Sequence, residues 1–506
     1  MDTMIAAITL AVALVPVPPV LQKGGIDITP VAALVLDGLE LCSPRVGGCV
    51  ERAVKRQLRV GTRSGILIDN EQRAAVASAI FGVTASRARL AHLLASTRQR
   101  GRSQSAGATA LLSPERRRRS ADVQLLALFL LHGSPQRIES HTLTRVIDPA
   151  HLGLPVAELD RLRSLGEVRW PAAPVPRIAL QHSLPTGLVR EWASVLASDE
   201  VEALAMACAR AGPVTLRANI CRCTRDELSQ RLHASGVETR DGVLSPLALH
   251  LKGGRSEWGR SIWSMEAWRE GWFEVQDEGS QCVVQAAEVR PGEAVLDLCA
   301  GNGGKTLALA AAVGERGHVV AHDVAHARLR ALGASAERAG VSARVELLMG
   351  EASAQGEARL RQRFLHAPPD VVLVDAPCSS SGVIRRHPGL RWSKQWAPGS
   401  NAAASAAELP GLQLRLLRQA AALLPPGGRL CFATCALERT QNEQVAAAFE
   451  QDVGTSFTPW PFRETSADQD RAGGARPESP FHFRTLWPHT HGTDGFFIAR
   501  WVRSRA

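Results

Sequence analysis

The sequence predicts a doubly wound, Rossmann-like α/β domain over residues 266–503, preceded by a small α+β unit over 181–265 and an all-helical domain over 66–180. Three observations carry this. From Trp268 onward the short apolar runs AVLDLC, HVVAHD, RVELLM, DVVLVD, RLCFAT and GFFIARW alternate with helical stretches, the rhythm of a sheet covered by helices on both faces. Before them, TRDELSQRLHASG reads as a charged helix beside a strand, PVTLRANI. Earlier still, DNEQRAAVASAIFGVTASRARLAHLL and ADVQLLALFLLHG repeat apolar residues at helical spacing.

A chain of 506 residues is too long for one ordinary domain, and its 45% hydrophobic content suits a sizeable core. The net charge of +10 and the pI of about 9.5 favour a polyanionic partner, nucleic acid above all. The 10 cysteines are scattered, with neither CxxC pairs nor zinc spacing, so free thiols in a reducing compartment and no metal are expected.

Residues 1–65 read as an extension of open role. Its apolar start, MDTMIAAITLAVALVPVPPVLQK, is broken by Pro16, Pro18 and Pro19 and is short for a bilayer span. Asp2 stands where a secretory signal carries positive charge, and no arginine precedes Arg45, which argues against a mitochondrial presequence. A cytoplasmic monomer without membrane association is the expectation, an organelle the alternative.

Within the helical domain, STRQRGRSQSAGATALLSPERRRRS reads as an exposed, arginine-rich loop between helices. Its arginines at 98–102 and 116–119 are candidates for phosphate contact. APVPRIALQHSLP is a proline-rich joint, and GLVREWASVLASDEVEALAMACARAG gives two further helices.

VLDLCAGNGGKTLALAAAV is a strand, a tight turn and a helix. Gly301, Gly303 and Gly304 let the backbone turn and approach a ligand, with Cys299, Ala300 and Asn302 in the same turn and Lys305 closing it. The spacing is not that of a phosphate-binding Walker loop. Such a turn serves nucleotides, flavins and S-adenosylmethionine (AdoMet) alike. Asp323 ends the next strand, where an acid binding a ribose belongs; a cap on the helix that follows is the lesser alternative.

Two cysteines stand at strand ends in polar loops, Cys378 in VDAPCSSSGVIRRHPG and Cys435 in LCFATCALERTQNE. Ligands of doubly wound sheets sit at that rim. These stretches, with DLCAGNGGKT, resemble the RNA cytosine-5 methyltransferases of the Sun/Nop family, most closely the RsmB (Fmu) type. FEVQDEGSQ and LWPHTHGTDGFFIARW fit the same family; TLRAN and QRAAVASAIFGV resemble its N-terminal half, whose helical part is NusB-like. The resemblance spans about residues 66–503 and is strongest over 268–503.

That resemblance implies AdoMet as cofactor and RNA as substrate, with small-subunit ribosomal RNA favoured over tRNA. It implies Cys435 as the nucleophile on carbon 6 of cytosine, which turns carbon 5 into an enamine carbon able to take a methyl group, and Cys378 as the thiol that assists release. It sets Asp375 at the polar edge of the base, Lys305 reaching toward the same place, and Glu351 near the adenine. Arg386 would face phosphate or order its loop, while Arg385 reads as readily as a solvated charge. Cys208, Cys299 and Cys431 read as small buried hydrophobes.

Departures from the family pattern are Asn302 in the turn, Ser380 and Ser381 at positions of small residues, Ala436 for the usual serine, and Pro410-Gly411 at a helix start, where a bend is expected. None removes a reactive group. A DNA methyltransferase, which uses the Pro-Cys thiol and needs no second cysteine, and a non-catalytic assembly factor are the competing readings.

Overall fold

The computed structural model describes residues 21–23, 26–28, 30–42, 50–67, 69–100, 114–132, 143, 146–165, 168–253, 261–396, 400–462 and 482–505. The apolar N-terminus before residue 21 and the centre of the arginine-rich stretch, 101–113, lie outside them. The chain divides into two units: residues 1–189 with 387–393, and residues 190–386 with 394–506.

The first unit is helical. Pro30–Leu41, Val50–Arg63, Asn70–Arg100 and Pro114–His132 surround one core that holds Val35, Leu39, Ile80, Val83, Leu126 and Phe129. Gly82 permits the closest approach, since a Cβ there would strike the Phe129 ring. The first two helices correct the expected boundary at residue 66. Their apolar faces supply part of this core, so residues 30–63 belong to the helical unit rather than to an extension. The arginine-rich stretch is also helical at its ends, because Arg98 and Arg100 continue one helix and Arg116–Arg119 begin the next. The segment 387–393 returns here: the Arg391 guanidinium donates to the carbonyls of Ala85 (3.0 Å) and His182 (2.9 Å), and the Trp392 indole to that of Thr84 (2.8 Å).

The second unit holds two sheets. The smaller is antiparallel, in the order Thr239–Asp241, Ala248–Leu251, Thr215–Ala218, Phe273–Val275. Arg225–Ala234 packs beside it, with Thr224 and Glu227 capping each other's backbone N–H groups. The strand Phe273–Val275 lies beyond the boundary expected at 265; a three-residue run carries too little periodicity to be placed from sequence.

In the larger sheet, the strands Val345–Met349, His318–Asp323, Ala294–Asp297, Val371–Asp375 and Arg429–Thr434 run parallel in that spatial order. Phe496–Arg503 follows antiparallel, flanked by Phe457–Pro459 and Phe483–Leu486. All six apolar runs named above are strands, as expected of a doubly wound sheet. Strands buried on both faces read as continuous Val, Leu and Ile runs, which is why these were visible. The order reverses between Ala294–Asp297 and Val371–Asp375, and the crevice at their carboxyl ends is where such sheets hold ligands. At Pro410 the expected bend is a break: Asn401–Ala407 ends and Leu409–Leu423 begins.

Candidate active site

The turn after Ala294–Asp297 carries the first half of the site. Gly303 has φ +84° and caps the helix Gly304–Ala312; a Cβ there would collide with Leu332. Gly301 has φ +55° and faces open space, leaving backbone exposed at the turn. Asp323, from the neighbouring strand, accepts from the N–H of Gly301 (2.7 Å) and that of Ala325 (2.6 Å). It thus braces the turn and the approach to the next helix while remaining only half-buried. Val324 beside it is an exposed apolar residue on the same rim.

Asp297 went unremarked in the sequence. Its Oδ2 accepts from the Thr306 hydroxyl (2.7 Å), but its buried Oδ1 has no hydrogen-bond partner among the described residues. Burial pushes its pKa up to about 7, opposed by the Thr306 bond. Arg217, from the small sheet, donates to the Gly304 carbonyl (2.7 Å) and to Gln276, which ties that sheet to the first turn of the helix. Glu351 lies exposed, paired with Arg359 at 2.6 Å. Cys299 is half-buried, and burial raises its pKa well above the ordinary thiol value.

The second half comes from Val371–Asp375 and Arg429–Thr434, paired in parallel with Asp375 opposite Ala433. Each strand is followed at once by its cysteine loop, so Cys378 and Cys435 meet with their Sγ atoms 3.3 Å apart. Both are half-buried free thiols. The Cys378 S–H bond to Cys435 is the largest influence lowering the Cys435 pKa; burial and Asp375 oppose it, while Ser380 and Lys305 help. Cys378 is raised by the same bond and by burial. Either sulfur can donate across this contact; the direction that lowers the Cys435 pKa is the one in which Cys378 gives the proton and Cys435 is the sulfur favoured to ionise. Lys305 lies 2.6 Å from Asp375; burial pulls its pKa down, but the carboxylate outweighs burial and keeps it raised.

Groups that sequence reasoning missed clamp the two loops together. Glu438 Oε2 accepts from the hydroxyls of Ser379 (3.1 Å) and Ser381 (2.6 Å) and from Leu437 N–H (2.9 Å). Gly382 N–H donates to the Cys435 carbonyl (2.8 Å). Gln413 holds the Pro377 carbonyl (2.8 Å), Gln441 the Ser379 N–H (2.9 Å), and Asn442 the Ala436 carbonyl (3.0 Å). With Ala436 in place of serine, its N–H is taken by the Thr434 hydroxyl at 3.2 Å.

Arg385 corrects the reading as a solvated charge. It is buried and donates to Asp494 (2.6 Å) and to the Gly492 carbonyl (2.9 Å). Arg386 bonds Asp494 and, at 2.6 Å, Asp277. The three stretches VIRRHPG, QDEGSQ and GTDGFF thus converge on one cluster of two guanidinium and two carboxylate groups. The sequence separation of more than one hundred residues hid it.

Comparison with known proteins accords with this arrangement. Residues 284–502 match the family model described as 16S rRNA methyltransferase RsmB/F, and 184–256 match the ferredoxin-like domain of RsmF/B-like methyltransferases. A probable ribosomal RNA small subunit methyltransferase B of Bacillus subtilis is 32% identical over 325 residues, covering 64% of this chain and 67% of that protein. The ribosomal RNA small subunit methyltransferase B of Pseudomonas syringae pv. tomato is 30% identical over 343 residues, covering 66% and 68%. The chain belongs to the RsmB/F family.

As a member of the RsmB/F family it is an AdoMet-dependent methyltransferase. With the Serratia proteamaculans methyltransferase B the match, 29% identical, covers 60% of that protein, so the chain spans less than two thirds of it. Among solved structures, PH0851 aligns at a TM-score of 0.67 with 23% identity over 93% of this chain and 98% of its own, and NSun6 from Pyrococcus horikoshii at 0.52 with 17% identity over 64% and 99%. Both likenesses show the fold. The residues present fit AdoMet: the open backbone at Gly301, the half-buried Asp323 and the unpartnered Asp297 Oδ1 offer donors and acceptors to a ligand carrying hydroxyls and an ammonium group.

Proposed function

We propose that this protein methylates carbon 5 of a cytosine in small-subunit ribosomal RNA, through a covalent bond between Cys435 and the base. The observation that carries the reading is the polarised thiol pair, 3.3 Å apart at the rim that holds the glycine turn. The RNA class is favoured by the relatives' names and by the net charge of +10.

AdoMet would be held by the turn at 299–305, with Asp323 at its ribose and Glu351 toward its adenine; when bound it supplies the electrophilic methyl group. Cys435, already drawn toward the thiolate, adds to carbon 6 of the ring and makes carbon 5 nucleophilic. Asp375 stands at the base's polar edge, held by Lys305, and stabilises the charge developing on the ring. After methylation a water molecule at the open rim takes the carbon 5 proton, the electron pair of that C–H bond forms the carbon 5–carbon 6 double bond, and the Cys435–carbon 6 bond breaks with its electron pair returning to sulfur. The Cys378 thiol, 3.3 Å from Cys435 Sγ, donates a hydrogen bond to the departing thiolate.

We place the protein in the cytoplasm as a monomer. Among the described residues no helix is long and apolar enough to cross a membrane. Transfer of label from AdoMet to isolated small-subunit RNA, followed by bisulfite sequencing, tests the reading: one protected cytosine is expected, and no label in RNA would reject it.

A further inference from the structure

Ser380 stands in the loop after Cys378 with φ +61° and ψ 25°, left-handed backbone that residues other than glycine seldom adopt. Its neighbours on both sides are pinned. The hydroxyls of Ser379 and Ser381 bond the same oxygen of the buried Glu438. The backbone between them is drawn into a tight arch, and Ser380 is the top of that arch. In this conformation its hydroxyl lies 3.6 Å from Cys435 Sγ, accepting from the thiol while that sulfur is protonated and free to donate to it once the proton has left. An unfavourable backbone held in place by its surroundings is a reason to look for a role.

We propose that Ser380 is a further catalytic residue, whose hydroxyl donates a hydrogen bond to the Cys435 thiolate and so adds to the fraction of sulfur ready to attack. Glu438, which reaches the thiolate only through the two flanking serines, is a positioning residue for that hydroxyl. The other titratable groups around Cys435 are the Cys378 thiol, the Asp375 carboxylate and the Lys305 ammonium. Cys378 can give its single proton to one acceptor. Ser380 supplies a second, independent donor. The proposal rests on Cys435 being the nucleophile.

Ser380→Gly separates this role from a structural one, because glycine suits the left-handed backbone and removes only the hydroxyl. The variant should melt at or above the temperature of the unaltered protein. Alkylation of Cys435 by iodoacetamide, read by mass spectrometry of its peptide, should move to higher pH. Methyl transfer to small-subunit RNA should fall about three- to ten-fold in kcat, the worth of one hydrogen bond, with KM for AdoMet little changed. Ser380→Asn, which tolerates left-handed backbone and keeps a side-chain donor, should recover part of the alkylation profile. An alkylation profile unchanged in Ser380→Gly would overturn the proposal, whatever the effect on activity. The alkylation measurement needs no turnover, so a protein that methylates no RNA would reject the functional reading while this readout still decides the role of Ser380.

Discussion

The Lys305 ammonium lies 2.6 Å from the Asp375 carboxylate, joining the helix after the glycine turn to the end of Val371–Asp375 across the point where the strand order reverses. The pair couples the cofactor rim to the thiol rim. Lys305 lowers the Cys435 pKa and Asp375 raises it, so removing the ammonium leaves the carboxylate unopposed. In Lys305→Gln the ascending, acid-side limb of the rate profile should move to higher pH, because more hydroxide is then needed to form the thiolate. The fall in kcat should be about 100-fold, the scale of a lost charged group in a water-poor site. A pH–rate profile with an unmoved limb would remove Lys305 from activation.

Asp297 gives a pH dependence of stability. Its pKa in the folded protein is pushed up to about 7, above the ordinary carboxylate value. Through the range between the two values the folded state holds a proton that the unfolded state has released, so stability falls as pH rises and levels off above about 7. The decline should amount to a few kcal/mol at most. Urea unfolding between mildly acidic and neutral pH should show it in the unaltered protein, and Asp297→Asn should flatten it.

Much of this fold was legible because buried parallel strands leave continuous apolar runs, and because the turn and both cysteine loops are local in sequence. What escaped was set by distant partners. Arg385 reads as a surface charge until Asp494, 109 residues later, is brought against it. Glu438 lies in a polar stretch with no periodic signature, yet its burial between two serines closes the site. Ser380 gave no sign of its left-handed backbone, since serine is not a residue that announces one. The helices at 30–63 were masked by the proline-rich apolar run before them.

The Arg385–Asp494 pair predicts a stability loss. Both side chains are almost fully buried, at 5% and 2% exposure. Arg385→Ala leaves Asp494 and Asp277 short of a cation, and breaking such a buried pair costs about 3–5 kcal/mol. Denaturant melts should show this loss, and Arg385→Lys should recover only part of it because a single ammonium cannot reproduce the fork that meets Asp494 and the Gly492 carbonyl.

Asp323→Ala should weaken AdoMet binding by about 1–3 kcal/mol, since it removes both a candidate ribose acceptor and the brace on Gly301. Asp323→Asn keeps a side-chain oxygen and should lose less. Calorimetric affinities equal to those of the unaltered protein would take Asp323 out of the cofactor site.

The most direct measurement follows the covalent bond itself. Cys378→Ala and Cys435→Ala would each be incubated with AdoMet and small-subunit RNA, and protein–RNA adducts resolved by denaturing electrophoresis. With Cys435 as the nucleophile and Cys378 assisting its release, Cys378→Ala should accumulate an adduct that survives denaturation, while Cys435→Ala should form none and transfer no methyl group. An adduct in Cys435→Ala that is missing in Cys378→Ala would reverse the two roles and contradict the polarity read from the thiol pair.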